Sequence, residues 1–185
     1  MRLRRFVPML SVRLSSRRFC ETLARRVARL LDRYSCVRQL ALPGCQLDPP
    51  TLVRLGLALQ HNSALYALDL GRSRLADDAA MLLAHALRRN VSLRVLGLAG
   101  NSLTGRGCRL VVGAIGRARS VAELDLADNR VGDAGCAALG GLLAARDCPL
   151  RRLVVANNEF GVAGAAAIFA ALRRNSRLVH LDGRP

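Results

Sequence analysis

LRVLGLAGNSLTGRGCRLVVGAIGRARS, residues 93–120, is the stretch whose reading decides the fold. Its first, fourth and sixth positions are aliphatic (Leu93, Leu96, Leu98), its ninth is Asn101 and its eleventh is Leu103. Alternation of this kind buries one face of a strand. Val111 and Ile115, four residues apart, then fall on one side of a helix. The same phrase begins at Val37, Leu65, Leu93, Val121, Leu150 and Leu178, at intervals of 28, 28, 28, 29 and 28 residues. A fixed period of this length marks a solenoid, in which each unit buries its apolar face only against its neighbours. A solenoid offers a binding surface rather than a catalytic pocket.

Aligned on that phrase, the units read VRQLALPGCQL, LYALDLGRSRL, LRVLGLAGNSL, VAELDLADNRV and LRRLVVANNEF. Position nine runs Cys45, Ser73, Asn101, Asn129, Asn158. A polar side chain there can bond the backbone of the turn leaving the strand, and stacked copies form a ladder. The inner face of each following helix is read from Leu55, Leu83, Val111, Leu139 and Ile168, with Leu59, Leu87, Ile115, Leu143 and Leu172 four residues on. Gly107, Gly135 and Gly164 are expected to let the helix pack close to the strand layer. The sequence LRRN at 87–90 and again at 172–175 puts cations at helix C-termini, where the macrodipole favours them.

The pattern LxxLxLxxN/CxL with this period resembles the ribonuclease-inhibitor-like class of leucine-rich repeats, over residues 37–182. The resemblance implies an α/β solenoid (horseshoe) of about five and a half 28-residue repeats, with a parallel concave sheet and outer helices. It also implies protein binding on that sheet and its adjoining loops. Members include inhibitors, immune receptors, Ran GTPase-activating proteins and subunits of flagellar and mitochondrial assemblies. The activator role is not carried over, because the acidic tail of those proteins is absent and Asn101 and Asn129 are accounted for by the ladder.

The 185 residues carry a formal net charge of +16, and all 29 basic residues are arginine. Arginine grips phosphate or carboxylate in a planar fork, which suits an anionic partner; a GC-rich genome encoding arginine in place of lysine is the preferred account of it. Half of the excess lies in residues 1–36, with ten arginines against Glu21 and Asp32. The six cysteines form no Cys-x-x-Cys pair or zinc-ligand cluster, so reduced structural thiols are expected, with Cys108 and Cys136 close together in the core. The longest uncharged stretches are too short for a membrane span, which needs about 18 apolar residues.

Three segments follow. Residues 1–15 form a basic extension with the marks of a mitochondrial presequence: arginine, serine, spaced apolar residues and no acid until Glu21. Arg17-Arg18-Phe19 resembles the sequence before some presequence cleavage sites. The alternatives are a basic arm for RNA or an acidic protein, with a cytoplasmic or flagellar location. Residues 16–36 are expected to form an N-terminal capping helix, started by Ser15 or Ser16, with Phe19, Leu23, Val27, Leu30, Leu31 and Tyr34 as its apolar stripe. Residues 37–185 form the repeat domain. Its sixth unit stops at LVHLDGRP without a helix, so either a partner covers that C-terminal edge, which is the preferred expectation, or the chain is a shortened version of a longer protein.

Positions two, three, five, seven and eight are expected to line the sheet's open face. The candidate partner-binding residues are Arg38, Tyr66, Asp69, Arg94, Glu123, Asp125, Asp128, Arg151, Arg152 and His180. Their centre is acidic and their ends basic, which suits a basic helix or tail of a protein partner. Scattered His61, His85 and His180 have no aligned nucleophile, no phosphate-binding glycine loop is present, and no cofactor or metal site is read. The expected function is therefore a non-catalytic scaffold, a subunit or assembly factor of a larger complex. The rival is a ribonucleoprotein component touching RNA phosphate, without base reading because stacking aromatics are scarce.

Overall fold

The computed structural model describes residues 10–14, 21–33 and 36–184, without the side chains of 21–24 and 32. Strands and helices alternate: β1 Leu10–Arg13, α1 Glu21–Arg33, β2 Val37–Ala41, α2 Pro49–His61, β3 Ala67–Asp69, α3 Asp77–Leu87, β4 Val95–Gly97, α4 Gly105–Ala118, β5 Glu123–Asp125, α5 Gly132–Ala144, β6 Arg152–Val154, α6 Val162–Leu172 and β7 His180–Asp182. The seven strands form one parallel sheet in chain order, and each helix packs on the next.

From β2 onward the register advances by one repeat per strand, so Leu40, Leu68, Leu96, Leu124, Leu153 and Leu181 lie side by side. The first five are buried and Leu181 is half-buried. The helix stripe read from the sequence is the buried one: Leu55, Leu83, Val111, Leu139 and Ile168 all face the sheet side of the core. Burying each such side chain contributes roughly 1.5–3 kcal/mol, repeated unit after unit. Cys108 and Cys136 are both buried thiols; desolvation and then mutual repulsion push Cys108 up to about 12, and burial pushes Cys136 up to about 11.

The sheet does not begin at Val37, where the repeat pattern begins. β1 lies inside the segment set apart as an extension, and it pairs in parallel with β2. Leu10, Val12 and Leu14 alternate at the period of a strand, and Val12 and Leu14 pack on the core. α1 is therefore preceded by a strand and occupies the same layer as the later helices, with Val27 and Leu31 buried. The expected Ser15 or Ser16 cap, Arg17-Arg18-Phe19, Tyr34, the Leu23 side chain and residues 1–9 lie outside the described residues.

The ladder at position nine is built from amides bonding backbone. Asn101 Nδ2 donates to the carbonyls of Leu70 (3.0 Å) and Leu98 (2.8 Å), while its Oδ1 accepts from the N–H groups of Ser73 and Leu75, both at 3.0 Å. Asn129 and Asn158 repeat both donations one and two units on, and each accepts one N–H, from Leu103 and Val131 respectively. A second ladder, not anticipated, sits where helix turns into strand. Asn62, Asn90 and Asn175 each donate to the end of the previous unit's helix (Leu31, Leu59 and Leu143 carbonyls) and accept two N–H groups of the connection leading to the next strand. The signal is an asparagine three residues before the phrase, in LQHN at 59–62 and in LRRN at 87–90 and 172–175.

The glycines at 107 and 164 serve a different approach from the one expected. A Cβ on Gly107 would strike the Asp77 carboxylate, and one on Gly164 would stand 2.6 Å from Asp133 Oδ1. Asp77 accepts from Gly107 N–H (3.0 Å), Thr104 N–H (2.9 Å) and Thr104 hydroxyl (2.6 Å); Asp133 accepts from Gly161 and Gly164 N–H. These glycines bring each helix start against the carboxylate of the previous helix, not against the strand layer. Position eight imposes a further demand: Gly44, Arg72, Gly100, Asp128 and Asn157 all have φ between 54° and 70°. There the chain turns out of the strand while its N–H still bonds the next unit.

Candidate functional site

Two rows of side chains stand on the face of the sheet turned away from the helices. Position three runs Ser11, Gln39, Ala67, Val95, Glu123, Arg152, His180; position five runs Arg13, Ala41, Asp69, Gly97, Asp125, Val154, Asp182. Small residues in the middle leave a groove of about 380 Å³ across β1–β6, lined by Arg13, Gln39, Asp69, Glu123, Asp125 and Arg152 among others. Strands about 4.8 Å apart put Asp69 and Asp125 roughly 10 Å apart, with Gly97 between them. A Cβ on Gly97 would come within 3.0 Å of Asp69 Oδ1, so the glycine leaves the notch beside that carboxylate open.

Each of these aspartates is held by its own turn. Asp69 Oδ1 accepts from Gly71 N–H (2.9 Å) and Asp125 Oδ1 from Ala127 N–H (3.0 Å). The carboxylates are thereby preorganised rather than swinging freely, which lowers the entropy lost when a partner is bound. At the edge strand, Arg184 pairs with Asp182 and holds its carboxyl below the usual range.

The ten residues singled out from the sequence fall into three places. Asp69, Glu123, Asp125 and Arg152 line the groove, and His180 adjoins Arg152 on β7. Arg38, Tyr66, Arg94 and Arg151 precede or begin the strands and form one rim instead; Arg38 and Arg94 donate to the Ala64 and Ser120 carbonyls of the next connection. Asp128 lies on the other rim, where it accepts from Asn157 Nδ2. Positions three and five, not two and eight, make the face. Arg13 was missed as a groove residue because its strand lacks the repeat phrase; the apolar alternation at Leu10, Val12 and Leu14 was the available signal.

Among the described residues, no three His, Cys, Asp or Glu side chains converge as metal ligands, and no helix is long and apolar enough to cross a membrane. The arrangement supports recognition by shape and charge along a shallow groove.

A family model described as Leucine Rich repeat matches residues 118–140, the end of α4 through most of α5. The chain carries leucine-rich repeats. Among solved structures, these repeats resemble leiomodin-1 Actin-Binding Site 2 with a TM-score of 0.63 and 22% identity, over 83% of this chain and 87% of that one. They also resemble the tropomodulin C-terminal domain of Caenorhabditis elegans with a TM-score of 0.66 and 16% identity, over 82% and 92% respectively. At these identities the likeness is one of fold. No curated protein matches the sequence.

Proposed function

We propose that this leucine-rich-repeat chain is a non-catalytic protein-interaction scaffold, of the ribonuclease-inhibitor-like class, that serves as a subunit or assembly factor of a larger complex. The observation that carries the reading is the open sheet face, with its groove ordered base, acid, base from Arg13 through Asp69, Glu123 and Asp125 to Arg152. A partner segment with a cationic centre is complementary to that order. The structure of leiomodin-1 that shares this fold is named for an actin-binding site, which gives a precedent for protein recognition on such repeats. The 28-residue period with a helix in each of the five full units supports the subclass. A mitochondrial location is part of the proposal, supported by the arginine-rich, acid-free first twenty residues; because β1 and its groove residue Arg13 belong to the sheet, any cleavage compatible with this groove falls before Leu10.

The test is native co-purification of the full chain from its own cells, alongside the variant D69N/E123Q/D125N. These three substitutions remove charge while keeping shape. Loss of the co-purifying proteins with retained circular dichroism is expected. An unchanged set of partners overturns the sheet face as the binding surface. N-terminal sequencing of the recovered chain examines the presequence, and an intact Met1 sinks its cleavage.

A further inference from the structure

The fold sorts the charge of this chain between its two edges. Because every strand runs the same way and every helix returns antiparallel to it, all helix-to-strand connections lie along one edge of the sheet. Those connections, residues 33–38, 61–66, 87–94, 117–122, 144–151 and 172–179, contain twelve arginines and a single acid, Asp147. From β2 onward, the strand-to-helix connections on the opposite edge, 41–50, 69–78, 97–106, 125–133 and 154–162, together with residues 182–184 after β7, contain nine acidic residues and five arginines. Helix macrodipoles favour this sense of segregation, but only within the first and last turns and by about 0.3–1 kcal/mol per charge. That preference does not account for two or three arginines at a single connection.

The arginines run without a gap along the last four connections of the basic edge, which hold ten of the twelve. Two are engaged already: Arg94 donates to the Ser120 carbonyl, and Arg119 is paired with Asp147 at 3.0 Å. The other eight are exposed, and their guanidinium groups make no hydrogen bond or ion pair among the described residues; they include Arg88 and Arg89 after α3, Arg146 after α5, and Arg173 and Arg174 after α6. Helices packed about 8–10 Å apart spread this array over roughly 25–30 Å. It is a linear track of guanidinium groups, one to three per repeat.

We infer that this basic edge, rather than the sheet face, binds the phosphate backbone of a single-stranded nucleic acid. Three observations favour that partner. A line of regularly spaced cations matches a line of regularly spaced anions, and guanidinium forks fit phosphate oxygens bidentately. The large apolar side chains exposed along these four connections are only Val91 and Val179, whereas a membrane-seated edge or a protein hot spot draws on tryptophan, phenylalanine, leucine or tyrosine. Tyr66 is the nearest exposed aromatic on the same edge, so stacking and base reading are not provided for. Binding is backbone-directed and independent of sequence.

The experiment is fluorescence anisotropy of the full chain with a labelled twelve-nucleotide oligouridine over a series of salt concentrations. Eight phosphate contacts give log K against log salt a slope of about −5.6 for a single strand, from about −0.7 per contact. The variant R88Q/R89Q/R173Q/R174Q is expected to reduce the steepness by about 2.8 and to weaken binding at least tenfold. R72Q/R106Q/R130Q/R184Q, with the same net charge but changed on the opposite edge, is expected to keep the slope. Should the first variant fail to fold, R151Q/R177Q replaces it, with a reduction of about 1.4. Equal losses in both quadruple variants overturn the inference, because net charge alone then explains the binding. So does a flat salt dependence, or binding to phosphatidylserine vesicles or polyglutamate in place of oligouridine. The sheet-face variant D69N/E123Q/D125N should bind oligouridine normally, so failure here and failure of the scaffold reading are distinguishable.

Discussion

Asn101→Ala removes the best-defined rung of the position-nine ladder, and its cost can be worked from the bonds it breaks. The Ser73 and Leu75 N–H groups lose their acceptor, and the Leu70 carbonyl loses the amide donor. The Leu98 carbonyl keeps a second donor, Asn129 Nδ2 at 3.0 Å, and so is not orphaned. Asn101 is only 8% exposed, so water cannot readily take over. Three buried backbone groups left unsatisfied at about 1–3 kcal/mol each, with partial relaxation, give a loss of roughly 3–5 kcal/mol. Against a domain stability of about 5–15 kcal/mol, that is a large fraction. Asn101→Asp should cost more at pH 7, because it keeps the acceptor but turns a carboxylate oxygen toward the Leu70 and Leu98 carbonyls. Burial beside those carbonyls raises the folded-state pKa of the new acid above its unfolded value. The Asp variant therefore gains stability as pH falls through that raised value, since a protonated carboxyl can donate. Urea unfolding followed by circular dichroism measures both, with the exposed neighbour Ser102→Ala as a control expected within about 0.5 kcal/mol. A loss below 1 kcal/mol for Asn101→Ala would refute the view that the ladder holds the turns.

Other outcomes follow from individual contacts. Gly107→Ala drives a Cβ into the Asp77 carboxylate and should cost about 1–3 kcal/mol. Combined with Asp77→Ala the cost should fall below the sum of the two, a coupling that a double-mutant cycle in urea detects. Arg72→Gly relieves a non-glycine residue at φ 57° and should be neutral to stabilising by up to about 1 kcal/mol, read as a rise in the urea midpoint. Cys108 and Cys136 should resist a thiol-reactive disulfide at pH 8 until the chain unfolds, while half-buried Cys36 reacts in the native state. Because their folded pKa values lie above the unfolded value of 9.0, stability should decline as pH rises from about 9 toward 11–12.

The repeat architecture was legible in the sequence because its determinants are local and periodic. Leu93, Leu96 and Leu98 face inward by strand alternation, Val111 and Ile115 by helical spacing, and both patterns recur at one interval. Asn101 was readable as a turn ladder because three successive units share an asparagine there. Less legible were contacts that join one unit to the next at unlike positions. The meeting of Asp77 with Gly107 spans 30 residues and two different repeat positions, so aligned columns conceal it. β1 escaped for a related reason: LSVR alternates as a strand but lacks the phrase, and its arginine and serine content suited another reading.

By itself, then, the sequence determined the strand–helix unit, its period, the buried stripe and the asparagine rungs, since each depends on residues within one repeat or on identical positions in adjacent repeats. The total of twenty-nine arginines and thirteen acids was equally plain in the sequence, but not its meaning. Only the tertiary structure decided that Asp69, Gly97 and Asp125 make one notch on the open sheet, and that arginines scattered over some ninety residues make one edge. The physical reason is the parallel, chain-ordered sheet: it carries connections far apart in sequence to the same side, where their charges act together.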